Sequence, residues 1–265
     1  PPHLEFTNEE HERGENSLRS MRIPKGANIV CLAVRDSAYL DEVNTNNEEH
    51  ERKDYSYHNY RDCDVQNFIL GAEELTKRGY YVIRMGAKVN SKLKTSNPKI
   101  IDYASNGMRS DFMDIYLGSV CDFCIRAESG WGAVPYIVFR KPIIMTNCAP
   151  IAYIATFSDK ILISNKKYWL NSEKRILNHS EIYKYGLGFS GRSEDFESKN
   201  VTLIENTSEE IKDLCIEIDE RLKGTWLPEE GDGERQDQFW KIFQNDVPIM
   251  DPMMDGEGMS LGVNR

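Results

Sequence analysis

No run in the 265 residues approaches the roughly 20 apolar residues that cross a bilayer, so no transmembrane segment is expected. Positive charge is in short supply. The 33 Lys and Arg stand against 43 Asp and Glu, a net charge of −10 that disfavours binding to nucleic acid or to an anionic membrane surface. An anionic ligand must therefore meet a local basic site. Cysteine is sparse, six in the chain, and the length rules out a disulfide-stapled miniprotein. Cys31, Cys124 and Cys148 fall in apolar runs and read as buried free thiols, which makes a reducing cytosol the expected compartment. Cys121 and Cys124 form a C-x-x-C, but no second Cys or His pair at zinc spacing accompanies them, and no metal is expected. Neither a Walker pattern nor the Rossmann dinucleotide fingerprint occurs, which disfavours kinase-like and dehydrogenase chemistry. There is no internal repeat. An initiator Met and a signal-peptide pattern are missing too, so the chain reads as an excised fragment or a processed product.

What is present is ordinary globular composition, 40% hydrophobic and 29% charged, enough for one large domain or two small ones. Apolar, strand-like runs at 29–34, 80–83, 122–125, 142–145, 161–164 and 201–204 alternate with segments of helical period. That alternation predicts an α/β fold, a Rossmann-like open parallel sheet flanked by helices. Thr7 with Glu10 and Thr207 with Glu210 are capping boxes that start helices, the second carrying Ile211, Leu214, Cys215, Ile218 and Leu222 on one stripe. Val65, Phe68, Ile69, Ala72 and Leu75 mark a further helix, closed by Gly79. Residues 36–61, polar and rich in tyrosine, read as a long functional loop. Three regions are expected: an N-terminal helix and linker over 1–25, a ligand-binding domain over 26–228, and over 229–265 a helix near 233–243 followed by a mobile tail.

In an open parallel sheet, ligands bind beyond the carboxyl ends of the strands, where loops and helix starts converge. Residues that follow the apolar runs are Arg35 and Asp36; Arg84 and Gly86; Arg126 through Ser129, Gly130, Trp131 and Gly132; and Thr146 and Asn147. A planar guanidinium makes paired hydrogen bonds to phosphate oxygens and stays charged, so Arg35 and Arg84 together could neutralise a diphosphate. Ser129 to Gly132 precede an apolar stretch with Pro135 in a tolerated first-turn position, a helix start that offers amide N–H groups to an anion. A strand-terminal arginine taken singly is more often a surface ion-pair partner; the coincidence at one rim carries the argument.

Other features have plainer explanations. Asp62-Cys63-Asp64 matches a D-x-D metal motif, but at a helix start it reads as capping. Arg109 precedes a short helix capped by Ser110 or Asp111 and faces either a ligand or solvent. His58, in the tyrosine-rich loop, has a pKa suited to proton transfer, though a solvated loop histidine is the commoner outcome. Lys88, Lys92, Lys94 and Lys99 read as a solvated basic loop.

The segments VCLAVRDSAYL (30–40), DYSYHNYRDCDVQNFILGAEELTKRGYYVIRMG (54–86), NPKIIDYASNGMRSDFMDIYLGSVCDF (97–123) and ESGWGAVPYIVFRKPIIMTNCAPI (128–151) resemble a family of bacterial glycosyltransferases of surface-polysaccharide gene clusters. The likeness spans most of residues 5–245. It implies a GT-B architecture, this chain being the C-terminal, donor-binding half with the N-terminal domain absent from it. It further implies transfer of a sugar from a nucleotide-diphosphate sugar to a glycan or lipid-linked acceptor, with no required cofactor or metal, in the cytoplasm or peripherally at the inner membrane face. Arg35, Arg84, Gly86, Arg109, Ser129, Gly130, Trp131, Gly132 and Asn147 would bind the donor, and Asp36 or His58 would serve as base. Val34-Arg35 also looks like the H-x-R motif of GT-B fucosyltransferases, with Ala33 where the family pattern has histidine. That departure keeps two alternatives open, a GT-B-like nucleotide-sugar epimerase and a catalytically impaired sugar-nucleotide-binding module.

Overall fold

The computed structural model describes residues 2–46, 54–153, 158 and 160–246. The expected tail lies outside them. Helix α1 (Asn8–Ser20) starts on the Thr7–Glu10 capping box and leads into strand β1 (Ile29–Val34), buried along its whole length. Next come α2 (Ala38–Asn46), a 3₁₀ turn over Ser56–Arg61, a second over Val65–Phe68, and α3 (Ile69–Lys77). Then follow β2 (Tyr81–Met85), β3 (Ile100–Ile101), α4 (Asp111–Val120) and β4 (Phe123–Ala127). Short turns over Gly130–Gly132 and Val134–Val138 lead to β5 (Ile143–Cys148), β6 (Ile161–Asn165), β7 (Lys167–Leu170) and β8 (Arg175–Ile176). The chain continues through α5 (His179–Lys184), α6 (Ser193–Ser198), β9 (Val201–Ile204), α7 (Ser208–Lys223) and α8 (Asp232–Asp246).

Six strands form one parallel sheet in the order β3-β2-β1-β4-β5-β6. This is the doubly wound order, whose direction of winding reverses between β1 and β4. The α/β, Rossmann-like expectation is met. One strand departs from it: the 201–204 run pairs antiparallel with β7 in a separate three-stranded sheet, β8-β7-β9. Periodicity alone cannot tell which sheet a four-residue apolar run will join.

The alternation of side chains splits the core in two. Val30, Leu32, Val34, Val82 and Ile125 pack with Ala72 and Leu75 of α3 and Ile211, Cys215 and Ile218 of α7. Ile29, Cys31, Ala33, Ile83 and Cys124 face α4 and the chain around Trp131 and Tyr136. Glycine permits the closest approaches: a Cβ on Gly14 would lie 2.2 Å from the Tyr116 ring, and one on Gly71 2.9 Å from Cys215 Sγ. Helix α7 is also fastened electrostatically. Its fully buried Asp219 accepts from Tyr80 Oη and Arg78 Nη1, both at 2.8 Å, and pairs with Lys223 at 2.7 Å. A third cluster, with Tyr60, Tyr168, Leu170, Ile182 and Phe196, belongs to the smaller sheet and its helices. All six cysteines are buried free thiols. No helix among the described residues is long and apolar enough to cross a membrane.

The polar stretch 36–61 is more structured than a loop. Ser37 precedes α2, Asp36 Oδ1 accepts from the Ala38 N–H at 3.1 Å, and the tyrosine-rich end forms the 3₁₀ turn over Ser56–Arg61. Residues 47–53 of that stretch lie outside the described ones.

Candidate functional site

Arg35 leaves the end of β1, its N–H bonded to Ala127 O at 3.1 Å across the point where the winding reverses. Its side chain is 13% exposed and lies against Asp62, Nε to Oδ1 3.1 Å, without the alignment of a hydrogen bond. Nη2 has no hydrogen-bond partner among the described residues. Burial, and then the neighbouring Arg61 charge, hold the Arg35 guanidinium below its ordinary range. His58 is lowered by burial and then by Arg61, Arg35 and Arg192, so its imidazole is neutral at neutral pH. Three cationic side chains, those of Arg35, Arg61 and Arg192, thus gather around the neutral His58 in a chain of net charge −10.

The segment that carries His58, Arg61 and Asp62 is held from beneath. Lys166, 5% exposed, donates through Nζ to Tyr60 O at 2.9 Å and to Asp62 O at 2.7 Å. From the other side, Ser193 Oγ reaches Tyr57 O at 3.2 Å, and Arg192 lies over the Tyr57 ring at 4.7 Å. The buried Tyr60 hydroxyl is pushed up to about 12 by its surroundings, burial first. It therefore stays protonated at neutral pH.

Strands β4 and β5 complete the rim. Arg126 stands in register with Ala33, stretches toward Tyr136 Oη at 3.4 Å, and lies 3.9 Å from Glu128. Glu128 ends β4 in a bridge to Val34 and is almost fully buried. Buried atoms without a hydrogen-bond partner among the described residues gather here: Arg35 Nη2, Arg61 Nε, His58 Nδ1, Arg126 Nε, Glu128 Oε1 and Asn147 Nδ2. Each such group costs about 1–3 kcal/mol relative to a satisfied one, and more when charged. Their concentration beyond the carboxyl ends of β1, β4 and β5 leaves hydrogen-bonding capacity unused at this rim. By contrast, an open groove of about 420 Å³ at Glu9, Arg13 and Ser20 is lined by α1 alone and gathers no such groups.

Several expected site residues serve the fold instead. Arg84 lies within β2, level with Leu32, and is 1% exposed. Its Nη1 donates to Ser91 O and meets Asp102 Oδ1 at 3.4 Å, while Nη2 is 3.9 Å from Asp36. It is a buried strut for the 86–102 loop, because the strand runs past the apolar residues that mark it in the sequence. Asp36 is committed likewise, accepting from Ala38 N and, at 2.9 Å, from Asn90 N. Gly86 has φ +155°, and a Cβ there would meet Val89 at 2.8 Å, so it is a turn residue. Arg109 pairs with Asp114 at 2.6 Å and Asp111 at 3.1 Å. Trp131 donates its indole N–H to Asp114 O at 3.0 Å. Asn147 is fully buried and exchanges bonds with Asn206, N to Oδ1 2.8 Å and, in return, 2.6 Å.

The expected helix start after Ser129 is also altered. Gly132 N donates to Ser129 O at 3.2 Å, and a Cβ on Gly132 would lie 2.8 Å from Arg126 Cδ, so that turn is packed by Arg126. The helix that follows is a five-residue π turn, Val134–Val138, too short for a macrodipole. The reason is local: Pro135 brings no N–H, and a Cβ on Gly118 of α4 would touch Val134 at 2.8 Å, leaving no room for a longer helix. Gly130 is open, with nothing within 4 Å of a Cβ placed there. The D-x-D pair divides its work: Asp64 caps the Gln66 N–H at 2.9 Å, whereas Asp62 faces Arg35, its carboxyl raised chiefly by burial.

Arg35 and His58 therefore lie close to one another, and Gly130 borders open space. Arg61, Lys166 and Arg192 were not singled out from the sequence, whereas Arg126 and Glu128 were named only as residues after a strand run and Asp62 only as one of a capping pair. The signal for Arg126 and Glu128 was their place just after a strand run; for Arg61 and Arg192 no local pattern exists. No family of known proteins, no curated protein and no solved structure matches this chain.

Proposed function

We propose that the rim binds the diphosphate of a nucleotide sugar and that the chain is the donor-binding part of a glycosyltransferase. The single observation that carries this is the closeness of the Arg35, Arg61 and Arg192 charges around His58, with Arg35 Nη2, Arg61 Nε and His58 Nδ1 buried and without hydrogen-bond partners among the described residues. A diphosphate relieves both costs at once, through charge neutralisation and charge-assisted hydrogen bonds. The placement beyond β1 and β4 suits a nucleotide, and the resemblance in segments 30–40 and 54–86 supplies the sugar-transfer expectation.

In this reading Arg35 and Arg61 hold the two phosphates and stabilise the leaving diphosphate as the glycosidic bond to it breaks. Neutral His58 is the better placed of the two candidate bases, since the Asp36 carboxylate is spent on Ala38 and Asn90. Ala33 is 1% exposed among core side chains, level with Arg126, so the position holds no proton-transfer group.

A thermal-shift screen of UDP-, GDP- and dTDP-sugars tests the proposal. At a hundredfold excess over Kd, stabilisation reaches about 2.7 kcal/mol. The expected result is a shift with at least one donor in the wild type that is lost in Arg35→Ala. No shift with any donor, or an equal shift in Arg35→Ala, would contradict it.

A further inference from the structure

Glu128 has no part in holding phosphate, and its setting is costly. Its φ is +42°, a region that side-chain-bearing residues seldom occupy. Its side chain is 5% exposed, Oε1 has no hydrogen-bond partner among the described residues, the Cys148 thiol is a near neutral polar neighbour, and the Arg126 guanidinium stays 3.9 Å from Oε2, beyond hydrogen-bond reach. Asp219, equally buried, shows what a satisfied carboxylate looks like here, with Arg78, Lys223 and Tyr80 all in contact. A buried carboxylate lacking such contacts is destabilising. Its charge reaches the rim: Tyr60 and Cys148 both feel it. Arg35 is bonded through its N–H to the carbonyl of Ala127, the residue preceding Glu128, and Glu128 itself bridges to Val34.

Cations alone would not tell a nucleotide sugar from a nucleoside triphosphate, which presents the same base and the same first two phosphates. Discrimination needs a repulsive element. We infer that Glu128 is that element: its poorly screened charge admits two phosphates held by Arg35 and Arg61, and rejects a third, so that the group beyond the diphosphate must be uncharged, as a hydroxylated sugar is. In a water-poor site a like charge repels far more than at an open surface.

The inference rests on the diphosphate reading, and calorimetric titration in metal-free buffer separates the two. The probes are pyrophosphate, UDP, UDP-glucose and UTP, and GDP, GDP-mannose and GTP, on the wild type and on Glu128→Gln, which keeps the shape and removes the charge. The wild type should prefer each nucleotide sugar over the matching triphosphate by roughly tenfold or more. Glu128→Gln should tighten triphosphate binding by about the same factor while UDP or GDP binding moves less than about twofold. An unchanged ratio in Glu128→Gln overturns the inference. So does a wild type that takes UTP and GTP as tightly as the sugars, a result that needs no variant should Glu128→Gln fail to fold. A wild type that binds neither pyrophosphate, UDP nor GDP overturns the diphosphate reading itself, and the inference falls with it.

Discussion

Two arginines near the carboxyl ends of adjacent strands, Arg84 and Arg35, look alike in the sequence and do different work. Arg84 is 1% exposed and its guanidinium is shared among Ser91 O, Asp102 and Asp36, with only Nε left over. Arg35 has one carboxylate beside it, unaligned, and like charges around it. A cation satisfied by its own chain is part of the scaffold. One that the chain buries, crowds and leaves incompletely hydrogen-bonded is a candidate for a partner from outside the chain. The contrast predicts that removing the first costs stability, and removing the second costs binding.

The largest effect follows from the scaffold side. Arg84→Met should cost on the order of 3–5 kcal/mol by denaturant unfolding, because Asp36 and Asp102 lose their buried cation. A loss below about 1 kcal/mol would dissolve the distinction. Asn206→Ala comes next, at about 2–3 kcal/mol, since it strips partners from the buried Asn147 N–H and from the Asn165 carbonyl. Its unfolding midpoint should fall with no change in anion affinity relative to folded protein.

Arg35→Ala belongs to the other side of the comparison. The unliganded protein should change by less than about 1 kcal/mol, because an imperfect ion pair and a repulsion disappear together. Lys166→Met is intermediate. It unpins the backbone of Tyr60 and Asp62, and should weaken pyrophosphate binding even though Lys166 is not itself a ligand group in this account.

The smallest effect is in pH. His58 and His179 are both held below their ordinary value of 6.5 by burial first. The unfolded chain therefore binds more protons than the folded one as pH falls below 6.5. The stability they contribute is whole above that value and is lost as pH drops toward their lowered folded values. His58→Gln should flatten part of this slope. Bound diphosphate offsets the cations around His58, so binding near pH 6 should take up protons, seen as a dependence of the titration enthalpy on buffer ionisation.

How much of this could be read from the sequence follows from locality. Both capping boxes, at Thr7–Glu10 and Thr207–Glu210, formed as the residues three apart require. The alternation of runs led to the parallel sheet, and Arg35 and His58 were recognisable by residue type and place. Arg84 misled because an apolar run shows where a strand is greasy rather than where it ends: β2 continues through Arg84 to Met85. Asp62 misled for the opposite reason. Its neighbour Asp64 does cap, and the partner that claims Asp62 lies 27 residues away in the sequence, beyond any local signal. Arg61, Arg192 and Lys166 meet only because the small sheet and α6 fold back over the rim, a contact between distant segments that no short pattern encodes.

The central claim is that the crowded cations beyond β1, and not the lysine-rich 88–99 loop, form the anion site. Calorimetric titration of pyrophosphate into the wild type, Arg35→Ala/Arg61→Ala and Lys92→Ala/Lys94→Ala tests it most directly. The account predicts binding by the wild type, its loss in the arginine pair, and near-wild-type binding in the lysine pair. Loss in the lysine variant with retention in the arginine variant would contradict it, as would no binding by the wild type at millimolar pyrophosphate.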